Sequence, residues 1–182
     1  EGAEQLRMIG GRVARLSSLI DGILSYSRAG RTHGGQTLVA LEELVGGTLE
    51  MLAPPAHITV TVAAALPQIR MDPAKAQQLF QNLLSNAVNY TPEGGHIDVV
   101  WRKEAANLII EIANTGQAIP KEDRERVFEP FYQSTAKRTG PIKGSGVGLS
   151  VARECIELQG GELKLVPHKR FPVCFRVLCP AH

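Results

Sequence analysis

The first residues of the chain carry apolar side chains at alternating spacings of three and four positions. This heptad pattern predicts a helix whose apolar stripe consists of Leu6, Ile9, Val13, Leu16, Ile20 and Ile23. A single amphipathic helix cannot bury such a stripe alone, so it needs a second surface. That surface is either the body of its own domain or, as we favour, another helix in a self-associated bundle. Gly30, Gly34 and Gly35 then mark a polar linker.

After the linker, short alternating segments are mixed with helical ones. We predict a short strand at Thr37–Val39 and a helix from Leu41 to Leu52 that Pro54 ends. Residues 58–63 alternate between apolar residues and threonine, which predicts a half-buried strand. Pro67–Met71 is predicted to be a loop or a short strand.

The helix predicted after Asp72-Pro73 has a clear start signal, with Asp as N-cap and Pro at the first helical position. It ends at Thr91-Pro92. Its apolar residues recur at helical spacing and predict one buried face, formed by Leu79, Phe80, Leu83, Leu84 and Val88.

The rest of the chain adds a hairpin, two helices and two closing strands. These predicted elements are strands at Ile97–Trp101 and Leu108–Ala113 joined by the turn Lys103–Asn107, helices at Lys121–Val127 and Val147–Leu158, and strands at Leu163–Val166 and Val173–Leu178. The mixed order predicts an α+β fold, a two-layer α/β sandwich with helices on one face of a mixed, mainly antiparallel sheet.

Composition narrows the class of protein. The chain has 182 residues, 43% of them hydrophobic and 21% charged, with a formal net charge of +2. This is typical of a soluble globular protein, and without a dense Lys/Arg block we expect no nucleic-acid partner. Cys155, Cys174 and Cys179 form no C-x-x-C pair, which favours reduced thiols in the cytoplasm over a disulfide or zinc framework. No apolar run approaches about 18 residues, so we expect no membrane contact by these residues. The chain begins inside a helical pattern, and we expect it to be a piece of a longer protein.

Three asparagines lie along one side of the helix after Asp72. Asn82, Asn86 and Asn89 are four and three residues apart, and asparagine is a mediocre helix former. Their carboxamides are suited to bind phosphate oxygens and to offer an oxygen to Mg²⁺. The alternative interpretation is a solvated polar face.

Two glycine-containing segments accompany this helix. Asn114–Ala118 follows a predicted strand, and its small residues would let a ligand approach the backbone. Gly144–Leu149 leads into a helix whose N-terminal N–H groups suit phosphate, although its spacing matches neither a P-loop nor a dinucleotide fingerprint. It is equally compatible with a lid hinge. None of the five histidines has a nucleophile or metal-ligand arrangement.

Four segments, taken in order, resemble the catalytic ATP-binding domain of sensor histidine kinases, which has the Bergerat-type nucleotide fold. NLLSNAVNYTP at Asn82–Pro92 resembles the N box, NTGQAIP at Asn114–Pro120 the first glycine box, VFEPFYQ at Val127–Gln133 the F box, and GSGVGLSVAR at Gly144–Arg153 the second glycine box. The first helix resembles the second helix of the family's dimerisation and phosphotransfer hairpin. We therefore divide the chain into residues 1–34, with that helix and linker, and the catalytic domain, residues 35–182.

The resemblance implies ATP and Mg²⁺ as cofactors. Asn82 and Asn86 would be the catalytic residues, with Asn86 holding Mg²⁺ and Asn82 contacting the phosphates. Phe128 and Phe131 would anchor the ATP lid in the core. The nucleotide-binding residues it implies are Asn82, Asn86, Asn89, Tyr90, Asn114, Gly116, Ala118, Ile119, Lys143, Gly144, Ser145, Gly146, Val147, Gly148 and Leu149.

The family's architecture implies two partners, the protein's own dimerisation helix in a homodimer and a response regulator. The expected location is the cytoplasm, either as a separate protein or as the cytoplasmic part of a membrane-anchored sensor. No histidine lies in an H-E-L-R-T-P-like context, so the phosphoacceptor helix is not within these residues.

Two departures from the family pattern leave alternatives open. Asn114 stands where the family usually has Asp, so we expect adenine binding to persist but weaken. Asn89 replaces a commonly basic residue. These changes slightly favour a degenerate regulatory or dimerisation module. A gyrase-, Hsp90- or MutL-type ATPase is disfavoured, because Asn82 stands where those proteins have a catalytic Glu.

Overall fold

The computed structural model describes residues 35–134 and 146–180. The helices are α1 (Leu41–Leu52), α2 (Pro73–Tyr90) and α3 (Gly148–Glu157). The strands are β1 (Thr37–Ala40), β2 (Thr59–Val62), β3 (Gln68–Met71), β4 (His96–Glu104), β5 (Asn107–Asn114), β6 (Glu162–Leu165) and β7 (Val173–Pro180). The predicted N-terminal helix and Lys143, Gly144 and Ser145 of the predicted site lie outside the described residues.

Five strands form one mixed sheet in the order β2-β4-β5-β7-β6. The β2–β4 pair is parallel and the other three pairs are antiparallel. β1 and β3 form a separate antiparallel pair. The predicted α+β sandwich is therefore confirmed. At the end of the central strand β5, Asn114 is paired with Ile97 on one side and Val173 on the other.

The three helices share one hydrophobic core with one face of the sheet. Val99 of β4 and Ile112 of β5 point to this face and are fully buried with Leu83 of α2 and Ala152 of α3. Alternate residues of a strand point to opposite faces, and the first residues of β4 show the resulting alternation of half-buried and buried positions. The central strand β5 is instead buried on both faces from Ile109 to Asn114. The sheet therefore holds α2 and α3 side by side, which positions the residues described below.

The start of α2 has the predicted N-cap. The Asp72 carboxylate accepts hydrogen bonds from the backbone N–H of Ala74 at 2.9 Å and of Lys75 at 3.4 Å. Pro73 occupies the first helical position, where a missing N–H has no consequence.

Three local predictions differ from the structure. The hairpin strands extend to Glu104 and from Asn107, so the turn contains only Ala105 and Ala106, with Ala105 at φ 50°. The single helix predicted at Lys121–Val127 is instead two 3₁₀ turns, Lys121–Asp123 and Arg126–Phe128. Phe128 is buried in the core, but the prediction for Phe131 was wrong, because its side chain is 54% exposed.

Candidate functional site

The first part of the site is formed where α2 lies beside the beginning of α3. Asn82 and Asn86 are half-buried on α2, one helical turn apart. A Cβ atom added to Gly148, the first residue of α3, would lie 3.5 Å from Oδ1 of Asn82. The amide-bearing face of α2 is therefore adjacent to the N-terminus of α3. This puts amide groups beside a helix end whose free N–H groups attract anions.

Asn89 lies one turn further along α2. Its Nδ2 donates a hydrogen bond to the Ser85 hydroxyl oxygen at 3.3 Å, and the side chain is half-buried. Part of its hydrogen-bonding capacity is thus used within the helix itself.

The end of α2 has a well-defined cap and lies against the loop that follows β5. The Thr91 N–H and hydroxyl both donate to the Ala87 carbonyl oxygen, at 3.0 and 2.7 Å. A Cβ atom added to Gly116 would lie only 2.6 Å from the Tyr90 carbonyl oxygen. Gly116 and Tyr90, two of the predicted site residues, are therefore in contact through their backbones.

Asn114 is the most buried polar residue of this region, with 1% of its surface exposed. Its Nδ2 has no hydrogen-bond partner within the described residues and lies 2.7 Å from the position of a Cβ added to Gly116. A buried amide without a partner is unfavourable by about 1–3 kcal/mol. Such a group therefore indicates a site for a ligand that provides the missing acceptor.

The segment before α3 contains the described part of the predicted glycine hinge. Gly146 has φ +74°, which favours glycine, and its carbonyl oxygen accepts from the Phe131 N–H at 2.9 Å. Val147 is buried in the core, and Leu149 is half-buried against it. Gly146 thus adjoins the backbone of Phe131, and Val147 fixes the start of α3 in the core.

The other two predicted residues of the β5 loop differ in their surroundings. Ala118 is exposed, whereas Ile119 is half-buried and packs against the core. Ile119 is therefore the one of these two residues with a packing role.

A buried carboxylate that no sequence pattern identifies, Asp123, lies beside Tyr132. Asp123 is 4% exposed and accepts hydrogen bonds from the Tyr132 hydroxyl at 2.5 Å and from the Ser134 hydroxyl. The bond to Asp123 raises the pKa of the Tyr132 hydroxyl, and the Arg126 guanidinium lies 4.2 Å from the centre of the Tyr132 ring. In the sequence Asp123 was one residue of a charged run, so no pattern identified it.

Arg153 links α3 to the second 3₁₀ turn. Its guanidinium carbon is 3.7 Å from the centre of the Phe128 ring, and one of its nitrogens is 3.7 Å from a carboxylate oxygen of Glu125. Because Phe128 also contacts the Phe175 ring edge-on at 6.0 Å, the turn is held from both α3 and the sheet.

No group of three or more His, Cys, Asp or Glu side chains that could hold a metal ion occurs within residues 35–134 and 146–180. Cys155, Cys174 and Cys179 are buried free thiols. In the same ranges, none of the helices is both long and apolar enough to cross a bilayer.

Comparison with known proteins identifies related sequences. The family model described as "Histidine kinase-, DNA gyrase B-, and HSP90-like ATPase" matches residues 71–181. The sensor histidine kinase GlrK of Escherichia coli K12 is 36% identical over 172 residues, which are 91% of this chain and 36% of that protein. The sensor histidine kinase QseE of Escherichia coli O157:H7 is 44% identical over 110 residues, or 60% of this chain and 23% of that protein. The chain therefore spans about a third of GlrK and less of QseE.

A similar architecture occurs in a solved structure of full-length ShkA in complex with AMPPNP. The TM-score is 0.74 at 25% sequence identity, and the similarity covers 97% of this chain and 37% of the ShkA chain.

Proposed function

Because this chain belongs to the family of histidine kinase-, DNA gyrase B- and HSP90-like ATPases and carries the catalytic domain of a sensor histidine kinase, we propose that it binds Mg·ATP between α2 and the start of α3. We further propose that it transfers the γ-phosphoryl group to a histidine on a dimerisation helix. The contact between Asn82 and Gly148 is the observation that carries this proposal, since it brings the amide face of α2 to a helix N-terminus.

The phosphate groups would bind at this contact. The Asn82 amide and the N–H groups of the first turn of α3 are donors that suit phosphate oxygens, and the dipole of α3 adds positive potential. Gly148 keeps the approach open, because a larger side chain there would lie against Asn82.

The adenine base would bind at the other end, near Asn114. The buried Nδ2 of Asn114 lacks an acceptor among the described residues, and the adenine ring offers both ring-nitrogen acceptors and an amino donor. Tyr90 and Gly116 would lie beside the base. In this arrangement Asn114 orients the nucleotide, and Asn82 holds its phosphates.

Mg²⁺ would bind mainly through the nucleotide. The described residues contain no acidic cluster, and Mg²⁺ commonly combines phosphate oxygens and waters with one or two protein ligands. The Asn86 amide oxygen would be the protein ligand. The bound metal would neutralise charge that develops on the phosphates during transfer.

Transfer to histidine agrees better with these residues than hydrolysis does. Phosphoryl transfer depends mostly on positioning and charge stabilisation, which amides and helix N–H groups provide. Water attack would require a base beside the metal ligand, and the carboxamide of Asn82 cannot accept a proton at neutral pH. For the same reason we do not favour the gyrase-type ATPase, and the resemblance to named sensor kinases argues against a purely structural module.

The partners of the complete protein would be its own dimerisation helix, in a homodimer, and a response regulator. The domain would act in the cytoplasm, where ATP is available. We propose no role for nucleic acid or for membrane contact by this chain.

The metal role of Asn86 can be tested by calorimetry of the 182-residue chain with a non-hydrolysable ATP analogue, with and without Mg²⁺. Mg²⁺ should tighten binding, and Asn86→Ala should weaken the Mg²⁺-dependent affinity about tenfold, as expected for one lost contact to a charged group. Asn107→Ala, at the opposite end of β5, is the matched control and should leave affinity unchanged.

Three results would contradict the proposed function. If wild type gives no heat with the analogue, or if Asn86→Ala keeps the full effect of Mg²⁺, the proposed site is wrong. With γ-labelled ATP the chain alone should remain unlabelled, because it contains no H-E-L-R-T-P-like segment. Strong acid-labile labelling of the chain alone would contradict transfer to a separate helix.

A further inference from the structure

Asn114 differs from the other polar residues of the site in its surroundings. It is nearly inaccessible to solvent, and its Nδ2 has no hydrogen-bond partner within the described residues. A carboxamide carries an acceptor oxygen and a donor NH₂ group at similar positions, and rotation by 180° about its terminal bond exchanges them. Because no described group accepts from Nδ2, no such bond opposes this rotation.

The two orientations match two kinds of purine. Adenine has an amino donor at position 6 beside an unprotonated acceptor at N1, whereas hypoxanthine has an oxygen acceptor at position 6 beside a protonated N1. When its oxygen points toward position 6 of the base, a carboxamide accepts from the amino group of adenine. When its nitrogen points there, it donates to the oxygen of a 6-oxopurine.

We propose that Asn114 makes this site tolerant at position 6 of the purine, so that it takes 6-oxopurine nucleoside triphosphates as well as ATP. This inference rests on the proposed function, because it assumes that the base binds at Asn114. A carboxylate at the same position could only accept hydrogen bonds and would face the 6-oxo oxygen unfavourably. A single side-chain amide therefore sets the range of nucleotides that the domain uses.

Competition binding of ATP and inosine triphosphate to the full 182-residue chain tests the proposal, since the two nucleotides differ only at positions 1 and 6 of the base. The affinities of wild type for the two nucleotides should agree within about threefold, because each base can form one hydrogen bond with the amide. Asn114→Asp should bind inosine triphosphate about tenfold more weakly than ATP, since a carboxylate that accepts from the amino group of adenine meets an acceptor at position 6 of hypoxanthine and keeps only the N1–H as a donor.

Asn107→Asp, which adds the same charge at the other end of β5, is the control and should keep the wild-type ratio. Asn114→Ala covers the case in which the buried aspartate prevents folding. It should weaken the binding of both nucleotides to a similar degree, because it removes the donor and the acceptor of the amide together.

The outcomes distinguish the two proposals. If wild type binds ATP but binds inosine triphosphate more than tenfold more weakly, the proposed tolerance at position 6 is wrong, and the proposed nucleotide site is unaffected. An Asn114→Ala variant that loses affinity for ATP but not for inosine triphosphate would also contradict the proposed tolerance. It would leave the proposed nucleotide site unaffected. If neither nucleotide binds wild type, the proposed function fails and this inference fails with it.

Discussion

At the scale of single residues, two glycines bring the end of α2 against the end of β5. A Cβ atom added to Gly95 would lie 2.4 Å from the Thr91 methyl and 2.7 Å from the Thr115 hydroxyl oxygen. One added to Gly116 would lie 2.6 Å from the Tyr90 carbonyl oxygen. The close approach of the two backbones thus explains why residue 116 is glycine, even without a bound ligand. The same approach puts Asn114 at the end of α2.

Gly116→Ala should destabilise the domain by about 1–3 kcal/mol, because the new methyl group meets backbone that cannot move as a side chain can. Urea denaturation measures this change in the free energy of unfolding. Gly47→Ala on α1 is the matched control, since nothing lies within 4 Å of its added Cβ. It should stabilise the protein by about 0.5–1 kcal/mol, because alanine favours a helix. Equal effects of the two substitutions would contradict the packing argument.

The site residues show what sequence spacing predicts and what it leaves out. Asn82 and Asn86 fall on one face of α2 because their separation is one helical turn, so their side-by-side position was predictable. The contact of Asn82 with Gly148 joins two helices and depends on tertiary packing. Asp123 was missed because its partner Tyr132 is nine residues away, with the second 3₁₀ turn between them, so no regular period relates the two residues.

At the scale of elements, local signals determined most boundaries. The bounds predicted for α1, Leu41–Leu52, are those of the structure, because Pro54 and the apolar periodicity agree. The turn of the β4–β5 hairpin was predicted too long because its residues, Ala105 and Ala106, are not typical of a tight turn. The pairing of β1 with β3 was not predicted either, since the two strands are separated in sequence by α1 and β2.

A charged cluster crosses three strands on the face of the sheet opposite the helices. Glu111 of β5 accepts from Arg176 of β7 at 2.7 Å and is 3.1 Å from a guanidinium nitrogen of Arg102 of β4. Burial alone would raise the pKa of Glu111, but the hydrogen bonds from Arg176 and Arg102 outweigh it and lower the pKa below its ordinary value of 4.5. The ionised carboxylate therefore stabilises the folded sheet.

Glu111→Gln should lower the free energy of unfolding at pH 7 by roughly 1–2 kcal/mol, since it leaves the half-buried Arg176 without its anion and leaves Arg102 paired only with Glu104. The contribution of Glu111 is complete above pH 4.5 and is lost as the pH falls through the lower folded-state pKa. Wild type should thus lose more stability than the variant on acidification below pH 4.5, as measured by urea denaturation at several pH values. Glu162→Gln, in an exposed pair with Lys164, is the control and should change little. Parallel pH profiles for wild type and Glu111→Gln would rule out this role.

At the scale of the whole molecule, three thiols are buried: Cys155 of α3 and Cys179 of β7 in the core between the helices and the sheet, and Cys174 of β7 in a smaller cluster with Ala113 and Phe171. Burial raises the pKa of Cys155 from 9.0 to about 11, and that of Cys174 and Cys179 to about 12. The unfolded chain releases these protons near pH 9, whereas the folded protein retains them to about pH 11–12. In that window the unfolded state binds fewer protons, so stability falls as the pH rises, by up to roughly 1.4 kcal/mol per pH unit for each thiol.

Cys155→Ala should therefore make the decline of stability between pH 9 and 11 shallower, even if the variant is less stable at pH 7 through lost contacts of the sulfur. Urea denaturation at closely spaced pH values measures this slope, and alanine keeps the propensity of α3 for helix. Ile156→Val is the matched control at the next buried position of α3. It should lower stability by about 0.5–1.5 kcal/mol without removing a titrating group, so its slope should equal that of wild type. If all three proteins decline in parallel, Cys155 does not remain protonated in the folded state, and the other alkaline groups account for the loss.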